Sequence, residues 1–289
     1  MELIILGSGG AQPIPRPCCN CKVCKEARRK GTPFSRLGPA LFVKGINALF
    51  DTPEEIGVEL NNFKIPSVDH VFYTHWHPDH TAGMRVFEQL SIDWLKHSVG
   101  KGASTKKIPV YANDIVWGEI DAIKNKFGGY FNYKDSMGLI ERKVLTDKPV
   151  KIGNIKITGI FRSAEMKSDN ILVYVLEEGK KKIIYAPCDS KPLPEDERLN
   201  NADVLIIWCP FFEGPLKNKF VIGPKNPLRD ELFSMEEIIG IIEKYKPKRT
   251  VLTHIEEAWG KSYTDLKKLE EKYKKYGIEF AFDGMKINV

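Results

Sequence analysis

The sequence predicts an α/β protein in which two β-sheets pack face to face with helices outside them. Two observations carry that expectation. Strand-like runs gather in both halves of the chain, with helix patterns between and after them. No internal repeat or shift in composition marks a linker in the 289 residues, so the elements are expected to share one domain, 1–289, with a core of good size. The apolar fraction of 42% and charged fraction of 28% fit an ordinary soluble globular chain.

Residues 2–6 open the chain as a strand, and Gly7-Ser8-Gly9-Gly10 turns it. The glycine spacing is not that of a dinucleotide-binding turn, and no helix pattern follows directly. Residues 11–39 read as a long loop, rich in Pro and Gly, with a cysteine cluster inside it. A hairpin is expected from 41–43 and 48–50, closed by Asp51, and a helix from Pro53 to about Phe63. A buried strand at 68–73 follows, and Asp79 suits the start of the next helix. Residues 108–111 read as a strand. Residues 114–127 read as a helix with Ile115, Ile120 and Ile123 on one face, and 128–133 as a packed loop. Strands are expected at 156–161, 171–176, 182–185 and 203–208. Ser234-Met235-Glu236-Glu237 fits a capping box for a helix to Tyr245, with Pro247 beyond it. A strand at 250–253 ends at His254, and a last helix at 262–276 is capped by Gly277.

No window of eighteen apolar residues suggests a membrane span, and the N-terminus lacks the marks of a signal peptide, so a cytoplasmic protein is expected. The net charge of +6 comes with abundant Lys and Glu side by side. No long basic run argues for nucleic acid, while a basic balance suits a phosphorylated substrate. Cys18, Cys19, Cys21 and Cys24 crowd together, and Cys188 and Cys209 stand alone. In a cytosolic chain that crowding reads as metal binding and not as a disulfide framework.

The stretch Thr74-His75-Trp76-His77-Pro78-Asp79-His80 organises the rest. It places three imidazoles and a carboxylate within six residues, directly after the apolar Val71-Phe72-Tyr73. These donors suit Zn²⁺, Mn²⁺ or Fe²⁺. His75 and His77 alternate and can point the same way from an extended segment. Asp79 and His80 lie past the bend that Pro78 helps impose, where they can face a second metal.

This H-x-H-x-D-H pattern resembles the signature of the metallo-β-lactamase superfamily. The resemblance implies a four-layer αββα sandwich. It also implies further ligands at strand ends: Asp189 after 183–188, in the place of a carboxylate bridging two metals, and His254 after 251–253. One histidine of that pattern is missing. Residues 161–169 hold none, and the six histidines are His70, His75, His77, His80, His97 and His254. Glu165 or Asp169 could replace it, or His75 and His77 could form a weak site completed by Asp189; the weak-site version is preferred. His70 is expected to be packed or on the surface, and His97 on the surface.

Cys19-Asn20-Cys21-Lys22-Val23-Cys24 resembles the C-x-C-x-x-C structural zinc loop of two branches. These are the phosphoribosyl cyclic phosphate phosphodiesterases and the pyrroloquinoline quinone biosynthesis B proteins. In the first, the fourth ligand comes three residues after the last catalytic histidine, which here is Glu257; Cys18 is the competitor. The resemblance implies one structural zinc and one or two catalytic zinc ions, with Mn²⁺ as an alternative. It implies a hydrolase, a phosphodiesterase acting on a small cyclic phosphodiester through a metal-bound hydroxide, with Asp79 and His80 catalytic. The competing readings are a cofactor-biosynthesis protein of the quinone-B type and a binding module with an incomplete site. A phosphorylated small molecule is the expected partner, without membrane or nucleic acid, and a homodimer stays open.

Overall fold

The structure, a computed structural model, describes residues 1–97, 106–162 and 170–289. Strand β1 (Glu2–Gly7) opens the chain. The 11–39 segment then departs from a plain loop, because it contains helix α1 (Lys22–Lys30). The cause is local. The Cys21 side chain accepts the Cys24 N–H as an N-cap, Val23, Cys24 and Ala27 form a buried face, and Arg28, Arg29 and Lys30 sit at the C-terminal end, where cations are favoured. Strands β2 (Ala40–Val43) and β3 (Ala48–Phe50) make the expected hairpin, with Leu41 opposite Phe50. Helix α2 (Ile56–Asn62), strand β4 (His70–Phe72) and the single-turn helix α3 (Pro78–Thr81) follow.

Helices α4 (Val86–Ser91) and α5 (Trp94–His97) lead to strand β5 (Ile108–Ala112). Helix α6 (Asp114–Ala122) is shorter than expected and turned to another face. Ile115 and Ile123 are exposed, while Val116, Trp117 and Ile120 are buried. Residues 115, 116, 117, 120 and 123 are all apolar, so spacing alone could not choose the face; Trp117, packed edge-on to Phe131, decides it. The 128–133 stretch is not wholly a loop. It carries part of a small ribbon, β6 (Lys124–Asn125) with β7 (Gly128–Gly129), and the start of α7 (Asn132–Ser136). Strands β8 (Ile140–Val144), β9 (Val150–Ile152), β10 (Ile155–Arg162), β11 (Ile171–Glu178), β12 (Lys181–Ala186) and β13 (Val204–Trp208) come next. The chain ends with α8 (Leu228–Glu231), α9 (Met235–Tyr245), β14 (Thr250–Thr253), α10 (Tyr263–Lys272), β15 (Ile278–Phe280) and β16 (Met285–Asn288). The Ser234–Glu237 capping box is present as expected.

Two seven-stranded sheets form, in the orders β16-β1-β2-β3-β4-β5-β8 and β15-β14-β13-β12-β11-β10-β9. Alternation along β11 shows how they stack. Leu172, Tyr174 and Leu176 join the core shared with Phe50, Phe72 and Leu3 of the first sheet. Ile171, Val173 and Val175 point the other way, into a second core with Ile238 and Ile242 of α9 and Leu266 of α10. Strand β13 is buried throughout and pairs in parallel with β12 and β14, which is why Val204-Leu205-Ile206-Ile207-Trp208 is an unbroken apolar run. Among the described residues, no helix is long and apolar enough to cross a membrane.

Glu59 of α2 is fully buried, and neither carboxyl oxygen has a hydrogen-bond partner. Burial, with repulsion from Asp283 and Glu55, raises its pKa well above the usual carboxylate range. The native chain therefore keeps a proton that the unfolded chain releases. This contribution to stability is full below the unfolded pKa of about 4 and is lost as pH rises through the folded value. Glu59→Gln should then flatten the decline of Tm above about pH 5, measured by thermal unfolding across pH. An unaltered profile would show that Glu59 is not the group responsible.

Candidate metal centre

The centre lies where strands end. Thr74 to His77 follow β4, Asp79 and His80 lie on α3, Asp189 follows β12, and His254 follows β14. Three residues there adopt left-handed backbone: Asp51 at φ 64°, Asp189 at 45° and His254 at 56°. Such conformations are uncommon outside glycine and gather where a side chain must be aimed. Arg162 Nη2 donates to the Asp189 carbonyl at 2.5 Å and helps hold that turn.

Two donor groups form. In the first, Asp189 Oδ2 lies 3.2 Å from His75 Nε2 and 3.1 Å from His77 Nδ1. In the second, Asp79 Oδ2 lies 3.1 Å from His254 Nε2 and 3.5 Å from His80 Nε2. The groups adjoin, with the His75 and His80 rings 4.2 Å apart. Asp189 groups with His75 and His77, while Asp79, His80 and His254 group without it. Glu165 and Asp169 lie outside the described residues, as does the side chain of His97. His70 is half-buried, with Nδ1 3.2 Å from the Tyr111 hydroxyl.

A set of buried polar partners aims these ligands, and sequence reasoning did not find it. Asp51 Oδ2 lies 2.8 Å from His80 Nδ1 and accepts from Thr74 Oγ1 at 2.9 Å. With its hydrogen committed to Asp51, Thr74 Oγ1 can only accept from His75 Nδ1, at 2.9 Å. Both imidazoles therefore carry their proton on Nδ1 and present a bare Nε2. Those two Nε2 atoms are buried without a hydrogen-bond partner. Glu256 Oε1 lies 3.1 Å from Nδ1 of the third ring, His254, as an ion-pair partner on the side away from Asp79. Asp51 read only as the end of a hairpin; the one clue was a carboxylate closing the strand beside β4.

The charges suit a cation. Burial alone would raise Asp189, but the adjacent His75 and His77 imidazoles outweigh it and hold it far below the usual carboxylate range. Asp79 is likewise held down, against burial, by His80 and His254. Burial and the neighbouring His80 lower His75. Burial also opposes charge on His254, yet Asp79 and Glu256 push its pKa up to about 10. Protons can satisfy these carboxylates only by making adjacent imidazolium ions, which repel. A divalent cation satisfies the same atoms with neutral rings. Zn–N and Zn–O bonds of about 2.0–2.2 Å imply donor separations of roughly 3–3.5 Å, in line with those above.

The cysteine loop makes a second cluster. Cys19, Cys21 and Cys24 Sγ lie 3.5, 3.3 and 3.2 Å from Glu257 Oε1. Tetrahedral zinc with bonds of about 2.3 Å to sulfur and 2.0 Å to oxygen sets sulfur–oxygen edges of about 3.5 Å. The four donors group together, while Cys18 is exposed and belongs to no donor group among the described residues. Lys217, which sequence reasoning passed over, donates to Glu257 Oε2 at 2.7 Å and to Cys19 Sγ at 3.2 Å. An ammonium there offsets the negative charge of three thiolates and a carboxylate around one Zn²⁺. Only folding brings residue 217 to residue 19.

Residues 46–255 match the model of the beta-lactamase superfamily domain. The chain belongs to the beta-lactamase superfamily. Its metallo-β-lactamase fold is shared with solved structures along the whole chain. A new diphosphatase of the PhnP family is 21% identical with a TM-score of 0.72, the match covering 100% of this chain and 97% of that one. Zinc-bound PqqB from Methylobacterium extorquens is 16% identical with a TM-score of 0.75 and full coverage of both chains. Human tRNase Z, short form, is 14% identical with a TM-score of 0.59, covering 100% of this chain and 99% of that one. At such identities the likeness is one of fold. No curated protein matches the chain. The superfamily's members are mostly metal-dependent hydrolases, and the two branches suggested by the cysteine loop are both represented among these neighbours.

Cys21→Ser should cost about one zinc per chain and lower Tm, because metal binding free energy at such a site is folding free energy. Metal analysis and thermal unfolding check this. A variant that keeps both its zinc and its Tm would show that the loop holds no structural metal.

Proposed function

We propose that the chain is a metal-dependent phosphodiesterase acting on a small phosphodiester of the cyclic class. One observation supports this most: two adjoining donor groups, each a carboxylate oxygen set between two imidazole nitrogens. Divalent metals held there supply Lewis acidity and an ionised water at neutral pH. His75, His77 and Asp189 would hold one, and Asp79, His80 and His254 the other. Asp51, Thr74 and Glu256 fix the rings so that no reorientation is needed as substrate arrives.

Exposure gives the direction of approach. His77, Asp189 and Asp79 keep 27%, 19% and 16% of their side-chain surface open, whereas His75 and His80 are closed off. Substrate phosphate meets the centre from the His77 side, with Asp79 placed to orient the attacking water. The absence of a histidine from residues 161–169 favours a second reading, a cofactor-biosynthesis protein of the quinone-B type. Turnover separates the two.

Protein stripped of metal and reloaded with Zn²⁺ or Mn²⁺ should cleave bis(p-nitrophenyl) phosphate and a 2′,3′-cyclic nucleotide. Asp189→Ala and His80→Ala should lose more than the roughly ten- to hundredfold that removal of an outer partner costs, and Asp51→Ala should fall within that range. Wild-type rates in Asp189→Ala, or no turnover by metal-loaded wild type, would overturn the proposal.

A further inference from the structure

Cys188 precedes Asp189 at the end of β12 and is 4% exposed. Its Sγ lies 3.2 Å from Asp189 Oδ2. It also groups with a nitrogen of His75 and one of His80, all donor atoms lying within 4.8 Å of one another. A buried cysteine is commonly a small apolar residue, and Cys209 shows what that looks like in this chain. Cys209 is equally buried, contacts the Pro210 carbonyl at 3.6 Å, and belongs to no donor group among the described residues. Cys188 differs because it is grouped with two buried imidazoles, His75 and His80, whose Nε2 atoms have no hydrogen-bond partner.

We propose that Cys188 is a ligand of the catalytic metal centre, a thiolate set between His75 and His80. This rests on the metal-dependent reading above. Its sulfur groups with His75 of the first donor set and His80 of the second, so it lies between the two metal positions, and the side facing His77 stays open for water or substrate. Cys188 is tied to Asp189 by a single peptide unit, so the turn that aims the carboxylate also brings the sulfur inward. A soft donor has a consequence that imidazole or carboxylate would not have. It favours Zn²⁺ over Mn²⁺, because Mn²⁺ prefers oxygen ligands. Cys188 therefore acts as a specificity determinant for the metal.

Cobalt(II) reports thiolate ligands by a sulfur-to-metal charge-transfer band in the near ultraviolet. Protein fully loaded with Co²⁺ should show this band from Cys19, Cys21 and Cys24 and from Cys188. In Cys188→Ser the band should fall by one thiolate's share in four, and the Zn²⁺-over-Mn²⁺ preference should drop by about tenfold or more. Retention of the cysteine-loop signal reports that the variant is folded. Zinc-edge X-ray absorption of the wild type gives the same count without any variant, with four sulfur ligands per chain expected. Three sulfurs per chain, or an undiminished band in folded Cys188→Ser, would overturn the proposal. Both readouts are spectroscopic, so the answer does not depend on whether a phosphodiester is turned over.

Discussion

The centre depends on the four residues that leave β14, His254 to Glu257. Ile255 fixes them first: its N–H donates to the Ser8 carbonyl and its carbonyl accepts from Gly10 N–H. Held that way, alternate side chains go to different tasks. His254 faces Asp79. Glu256 reaches back to His254 Nδ1 and accepts the Ala11 N–H at 3.1 Å. Glu257 enters the cysteine cluster. Gly10 is needed for this approach, since a Cβ there would fall 2.1 Å from Glu256 Oε1. A zinc bound by the loop would therefore do more than stabilise residues 11–39. It would fix the backbone from which a catalytic imidazole is presented.

The same economy governs the other side. Asp51 and Thr74 end neighbouring parallel strands, and the fold needs them for no apolar packing. Asp51 accepts the Thr74 N–H at 2.8 Å as well as its hydroxyl, so one carboxylate sets the backbone of the motif and the tautomers of His75 and His80. Removing it would leave buried polar atoms unpaired, each at a cost of about 1–3 kcal/mol. The strain of its left-handed backbone is of similar size, so the gain in placement has to be large for the residue to be used there.

What the sequence revealed follows from the range of the information. The hairpin, the apolar run of β13, the Ser234–Glu237 cap and the H-x-H-x-D-H stretch depend on residues within a few positions of one another, and all were legible. The grouping of Asp189 with His75 and of Glu257 with the cysteines needed the resemblance to a family, because these pairs are more than a hundred residues apart. Asp51, Glu256 and Lys217 were not legible by either route. Each has an ordinary local explanation as a turn, surface or core residue, and acquires its role only from what the fold places opposite it. The face of α6 failed for a related reason: where most sides of a helix are apolar, tertiary contact and not periodicity selects the buried one.

The two donor clusters differ in the charge that surrounds them, and this separates their tasks. Around the cysteines, Lys217 supplies a positive charge against Glu257 and Cys19, and Glu257 is 1% exposed. Three thiolates and one carboxylate would complete a tetrahedral zinc and leave no position for substrate. Around the histidines, the ion pairs to Asp79 and Asp189 among the described residues are made by imidazoles. With neutral rings and one carboxylate in each donor group, a bound divalent metal would keep net positive charge for an incoming phosphate, and His77, Asp79 and Asp189 keep that side open. On the reading proposed above, one cluster would close upon its metal and stabilise a loop, and the other would leave metal charge facing solvent, which is the condition for chemistry on an anionic substrate.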